Sequence, residues 1–118
     1  MSNDTFETLT DLMIQLVEFW RQASIIKAQI NELKKPKVSI IDNQFDLEMY
    51  SDRLNEYNTK MFRLEKKTDQ LSSNVDTLKA GILSTIPMKH VNFKVVVGDK
   101  SFVLKKSWHD HLEIKQVD

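Results

Sequence analysis

The fold is decided by residues 47–82, which read LEMYSDRLNEYNTKMFRLEKKTDQLSSNVDTLKAGI. Candidate core positions recur along this stretch in alternating steps of three and four residues, the heptad spacing with which helices supercoil around one another. No proline interrupts the stretch, and its first glycine is Gly81. The spacing therefore predicts one long helix with a continuous seam for other helices. The seam comprises Leu47, Tyr50, Leu54, Tyr57, Met61, Leu64, Thr68, Leu71, Val75, Leu78 and Ile82.

A first helix is predicted upstream, from Asp4 to the segment KKPK at residues 34–37. Asp4 and Glu7 form a capping-box-like pair, and Pro36 disfavours helical geometry at the residue before it. The apolar residues of this helix form two neighbouring rows, whereas an isolated helical hairpin buries one stripe. We therefore expect it to contact several neighbours, some of them in other copies of the chain. The rows contain Phe6, Leu9, Met13, Leu16, Trp20, Ala23 and Ile30, and Leu12, Phe19, Ile26 and Leu33.

Between the helices, Val38 to Ile41 predict a short extended link, and Asp42 predicts a cap for the long helix, which runs to about Thr85. The long helix is longer than the first one, so part of its seam must find partners outside the chain's own hairpin. The sequence therefore predicts a homo-oligomer, a trimer or a dimer, with the helix direction left open. The predicted interface consists of Leu47, Tyr50, Leu54, Tyr57, Met61, Leu64, Leu71, Val75 and Leu78.

The period changes after Pro87, and residues 91–97 alternate in the manner of a strand. Gly98 and Asp99 then give the signal of a two-residue hairpin turn. A third strand is predicted from residues that share one parity, Trp108, Leu112 and Ile114. We therefore expect a mainly α fold, a long antiparallel helical hairpin or coiled coil followed by a small C-terminal antiparallel β-hairpin or three-stranded meander.

The expected division of the chain is a helical hairpin and coiled-coil stalk over residues 1–86 and a β-rich cap over residues 87–118. A sheet of two or three strands is marginal in water, so contact with the helices or with tails of other subunits should order it. We expect the cap to dock another protein. We also expect deletion of residues 88–118 to leave an associating rod that no longer binds its partner. The predicted docking residues are Phe93, Phe102 and Trp108.

The composition argues against catalysis. Seventeen basic residues balance seventeen acidic ones, cysteine is absent, and two glycines cannot build a phosphate-cradling loop. We therefore expect no enzyme, no cofactor and no resident metal. His109 and His111 would lie on one side of a strand, where two exposed histidines are the favoured interpretation. Whether they bind a metal in an oligomer stays open.

The N-terminal residues show no basic leader, and no apolar run approaches the roughly 20 residues that span a bilayer. We expect a cytoplasmic or virion protein without a membrane partner. The leading function is a non-enzymatic, self-associating structural or adaptor protein. One alternative is a nucleic-acid-binding accessory protein, because residues 86–106 contain five lysines against Asp99 alone; the lack of arginine there argues against nucleic acid. The other alternative is a small inhibitor of a larger enzyme.

The order of a coiled coil followed by a β-hairpin resembles the trimeric fibre proteins of bacterial viruses, whose stalks end in small β caps. The resemblance is one of architecture, and it implies a viral structural component without implying the role of any residue. Prefoldin subunits also combine long helices with hairpins. Their hairpins lie between the helices, whereas here the hairpin follows both, so that comparison fails.

Overall fold

The computed structural model of the 118-residue chain describes residues 2–37 and 40–117. Two long helices are followed by a three-stranded antiparallel sheet, which confirms the predicted fold class. The elements are α1 (Ser2–Glu32), α2 (Gln44–Thr85), β1 (Phe93–Val97), β2 (Lys100–Lys106), a 3-10 turn (Trp108–Asp110) and β3 (Leu112–Val117). Within the described residues, no helix combines the length and the apolar character needed to cross a membrane.

The helix ends differ in detail from the prediction. Helix α1 begins at Ser2, so Asp4 lies inside its first turn instead of capping it. Helix α2 is capped by Asn43 and not by Asp42, because the Oδ1 atom of Asn43 accepts a hydrogen bond of 2.9 Å from the Asp46 amide. Both residue types suit a cap, and the position of the first helical turn decides between them. In the predicted link, Val38 and Ser39 lie outside the described residues, and residues 40–41 have no regular secondary structure.

The sheet is a meander in the order β1-β2-β3, with all neighbours antiparallel. The predicted hairpin register is correct, since Phe93 pairs with Leu104 and Val95 pairs with Phe102. Gly98, in the turn, has a φ of 62°, a conformation that glycine adopts without steric cost. Trp108 departs from the expected strand parity, because it lies in the 3-10 turn that precedes β3. The third strand therefore starts at Leu112.

The first compact unit combines residues 2–21 of α1, residues 72–85 of α2 and the sheet. Helices and sheet share one apolar core in this unit, which explains why so small a sheet is ordered. Alternation along the strands sends every second residue of β1 and β2 into that core, and the heptad seam of α2 supplies its other side. The core consists of Leu9, Met13, Leu16, Leu78, Ile82, Ile86, Phe93, Val95, Phe102 and Leu104.

The second compact unit, residues 22–71, contains the end of α1, the connection and the larger part of α2. Among its described apolar residues only Ile26 and Leu71 are buried, with 8% and 9% of their surface exposed. The two units do not coincide with the expected division into residues 1–86 and 87–118. The reason is that the ends of both helices share a core with the sheet, so the change from helix to strand is not a boundary in packing.

Candidate functional site

The seam of α2 is covered unevenly along its length. In the first unit Leu78 is buried and Val75 is packed against the core, so the chain completes this part of the seam itself. In the second unit Leu71 is buried, but Leu47 is 45% exposed. The rest of the predicted interface is half-buried there, namely Tyr50, Leu54, Tyr57, Met61 and Leu64. The single chain thus leaves much of the seam between residues 47 and 64 partly open to solvent.

Further apolar side chains of the second unit lie exposed beside the connection between the helices, and the heptad analysis missed them. Ile40 is 71% exposed and Phe45 is 67% exposed, and Ile41 and Met49 are exposed as well. These residues line, or lie beside, an open groove of about 470 Å³ that also contains Pro36, Lys37, Asp46, Tyr50 and Arg53. Periodicity could not have found them, because residues 40–49 carry large apolar residues without a helical repeat. Their density in ten residues is the signal that remained in the sequence.

The three predicted docking residues separate into two groups. Phe93 is 8% exposed and Phe102 is 3% exposed, and their rings lie 5.9 Å from Phe6 and 6.2 Å from Trp20 between centroids. These two residues therefore hold the sheet on α1 and cannot contact a partner at the same time, which corrects the predicted docking role. Trp108 is 72% exposed and remains available.

The loops around Trp108 hold three residues in the left-handed region that L-residues rarely adopt. His90 has a φ of 63°, His109 of 60° and Asp110 of 53°. The His90 ring lies 4.7 Å from the Trp108 ring between centroids, and Asp110 forms an ion pair with Lys89 whose Nζ–Oδ1 distance is 3.5 Å. These contacts join the loop at residues 86–92, between α2 and β1, to the connection at residues 107–111, between β2 and β3.

The expected pair of histidines on one strand does not form. His109 belongs to the 3-10 turn and His111 follows it, so the alternation of a strand does not align their rings. Among the described residues, no group of three or more His, Cys, Asp or Glu side chains is arranged to hold a metal ion. In the same part of the chain, no charged or polar side chain is buried.

Charged side chains interact mainly along the helices. Arg21 donates to Glu18 from Nε at 3.0 Å, and this hydrogen bond raises the pKa of the guanidinium. Lys60 lies 2.9 Å from Glu56, and the hydrogen bond between them lowers the pKa of that carboxyl. Both pairs are exposed and salt-screened, so they contribute little to the free energy of unfolding.

Lys66 lies over the ring of Phe62, with its Nζ atom 5.0 Å from the ring centroid. Phe62 is 57% exposed in the second unit, and the Lys66 ammonium forms a cation–π contact with its ring. It does not cover the ring, so Phe62 adds to the exposed apolar surface of α2.

No protein-family model, no curated protein and no solved structure matches this chain.

Proposed function

We propose that this protein is a non-enzymatic structural or adaptor protein that self-associates through the part of the α2 seam in its second unit. One observation carries the proposal, the contrast between two stretches of the same heptad pattern. Leu78 and Ile82 are covered by the chain's own α1 and sheet. Leu54, Met61 and Leu64 continue the pattern but are only half-buried.

The energetic argument follows from that contrast. Full burial of a leucine side chain stabilises by roughly 1.5–3 kcal/mol, so each half-buried seam residue can still gain about 1 kcal/mol when a partner helix covers it. Five such residues and the exposed Leu47 line up on one helix. A second copy offers the same seam, and heptad packing between helices is the geometry that the spacing favours. The proposed assembly is a dimer or a trimer.

A docking role for another protein is also part of the proposal, with Trp108 as its apolar contact residue. The nucleic-acid alternative keeps the exposed Trp108 for stacking on bases but loses Phe93 and Phe102, which are inside the core. The small-inhibitor alternative depends on a monomer with exposed apolar surface. The experiment that tests self-association therefore also distinguishes the structural or adaptor function from the inhibitor function.

Self-association is tested by light scattering coupled to size exclusion and by sedimentation equilibrium over a wide range of protein concentration. We expect a mass that is two or three times that of the 13.8 kDa chain. A stable monomer at high micromolar concentration would refute the proposal and favour the inhibitor.

A matched pair of variants tests the surface. Leu64→Lys places a charge on the half-buried seam and should shift the mass towards the monomer. Gln70→Lys places the same charge at an exposed position of the same helix and should leave the mass unchanged. Far-UV circular dichroism shows whether both variants keep the helix content of the parent. Equal association by both folded variants would contradict the assigned surface.

A further inference from the structure

The first unit carries a row of carboxylates on the side of α1 that faces away from its core. At 100° per residue, the row lies opposite Leu9, Met13 and Leu16, which are fully buried. All its members are exposed, and the apolar Ile14 lies among them with 49% of its side chain in solvent. We call this row the acidic face; it consists of Asp4, Glu7, Asp11, Ile14 and Glu18.

The same unit carries lysines on the opposite layer, on the side of the sheet that does not contact the helices. Lys94 and Lys115 flank Val103 in one cross-strand row, since Lys94 pairs with Val103 and Val103 pairs with Lys115. Val96 lies on the same side and is 55% exposed. We call this surface the basic face; it contains Lys94, Lys105, Lys115, Val96, Val103 and Val117, together with one carboxylate, Glu113, which is the cross-strand partner of Lys105.

On the acidic face Glu18 is paired with Arg21, whereas the lysines of the basic face form no close ion pair with any described residue. Among the described residues, no carboxylate lies within 4.0 Å of Lys94, Lys105 or Lys115. The helical layer is acidic and the sheet layer is basic also when all their charged residues are counted. Residues 2–21 contain four carboxylates and one arginine, whereas residues 86–117 contain six lysines and three carboxylates. The first unit is therefore an electrical dipole, with an acidic helical layer and a basic sheet layer.

We propose that the basic face of one copy docks on the acidic face of a second copy. The two faces have opposite charge, because three lysines outweigh Glu113 on the sheet while Asp4, Glu7 and Asp11 lie on the helix, and the exposed Ile14 can contact the exposed Val96. Complementary charge of this kind fixes the orientation of partners and speeds their encounter. An antiparallel sheet commonly packs one face on a core and leaves the other in water, so the basic face is accessible to a helix of a second copy.

Such a contact joins two different surfaces, so it is heterologous and repeats from copy to copy. It closes into a ring if the rotation allows it and extends into a filament otherwise. The contact uses residues 4–18 and 94–117 and does not depend on the half-buried seam at residues 47–64. The two contacts together would turn a small oligomer into a larger structure. A polyanion is the less favoured occupant, because no arginine lies on the basic face and the matching acidic surface is present on the chain itself.

Charge reversal of the full chain tests the contact. The sheet-reversed variant carries Lys94→Glu, Lys105→Glu and Lys115→Glu; the helix-reversed variant carries Asp4→Lys, Glu7→Lys and Asp11→Lys. Each variant alone has two faces of like charge and should lose every species larger than the seam oligomer. An equimolar mixture restores complementary faces and should recover the larger species. The control Asp76→Lys with Lys79→Glu changes exposed charges of the first unit outside both faces and should assemble like the parent.

Salt distinguishes the two contacts. Sedimentation velocity should show larger species at about 0.05 M NaCl and their loss at about 0.5 M, because the screening length falls from more than 10 Å to a few ångströms. The apolar seam oligomer should persist at both concentrations, so failure of one proposal is visible separately from failure of the other.

Three results would overturn the head-to-tail contact. The first is the absence of larger species at low salt, and the second is a folded mixture of reversed variants that does not recover them. The third is binding of a single-stranded oligonucleotide that the sheet-reversed variant loses and the mixture does not restore, which would assign the basic face to a polyanion.

Discussion

Replacing Gly81 with alanine should stabilise this protein. Gly81 lies in the last part of α2, and a Cβ atom built there would lie 3.7 Å from both terminal methyl carbons of Leu12. That distance is ordinary van der Waals contact, so the methyl group fits without displacing α1. Glycine inside a helix is about 0.5–1 kcal/mol less favourable than alanine. Partial burial of the new methyl against Leu12 adds a few tenths of a kcal/mol more.

We therefore expect Gly81→Ala to raise the free energy of unfolding by about 1 kcal/mol. For a chain of this length, the melting temperature should rise by roughly 4 °C. Urea unfolding followed by circular dichroism measures the change, and the transition midpoint should move without a change in slope. Protein concentration must be equal for both proteins, because self-association stabilises the folded state by mass action.

Gly98→Ala provides the matched control, since it adds the same methyl group elsewhere. Nothing lies within 4 Å of that Cβ position, so space is not the issue. The backbone φ of 62° is the left-handed conformation, which costs an L-residue roughly 1–2 kcal/mol. This variant should therefore lose stability while Gly81→Ala gains it. A loss of stability in Gly81→Ala would show that α1 and α2 approach more closely at Leu12 than the structure has them.

Asn43→Ala removes the hydrogen bond to the Asp46 amide and should lower the free energy of unfolding by about 1 kcal/mol, as measured in urea. Leu71→Ala should lower it by about 2–5 kcal/mol, since the side chain is buried. The pKa of Glu56 is lowered by Lys60, so the pair stabilises α2 above the ordinary glutamate pKa and loses this contribution as the pH falls through the lowered value. Glu56→Gln should therefore make the helix content, followed during an acid titration, change less over that pH range. A triple variant with asparagine at His90, His109 and His111 should assemble like the parent. Loss of a bound metal together with loss of assembly in this variant would contradict that expectation.

The parts of the fold that follow from local repeats were predictable. The 3–4 spacing over residues 47–82 specifies a helix, and the alternation around Gly98 specifies a hairpin and its register. Both patterns depend only on residues close to one another in the sequence, so they can be recognised without knowing the distant contacts. The cap of α2 was off by one residue because Asp42 and Asn43 offer similar side chains, and only the geometry of the first turn selects Asn43.

The parts that depend on distant contacts were not predictable in the same way. Alternation places Phe93 and Phe102 on one face of the sheet, but it does not say that residues from the start of the chain cover that face. The docking role predicted for them failed for this reason. Trp108 was assigned to a strand by parity, and the 3-10 turn that exposes it has no periodic signal. The exposed Ile40 and Phe45 were missed because they belong to no repeat.

The shared core also changes what a deletion of the tail can mean. Residues 88–118 include Phe93, Val95, Phe102 and Leu104, which cover α1 in the first unit. Their removal would expose Leu9 and its neighbours to water, so the truncated chain would not be a simple rod that lacks a docking surface. Substitutions at exposed positions of the sheet, such as the charge reversals above, are therefore the cleaner test of recognition.

The arrangement of the first unit has a consequence for how the protein is made. Leu9, Met13 and Leu16 near the start of the chain are covered by residues as late as Leu104. Synthesis proceeds from the N-terminus, so a nascent chain holds this apolar stripe uncovered until β2 has left the ribosome. The heptad seam emerges earlier and can meet the seam of a neighbouring nascent chain first. Under the proposed self-association, chains on one messenger RNA would pair before either has closed its core. A chain that stops short of β2 would expose the stripe to chaperones and proteases.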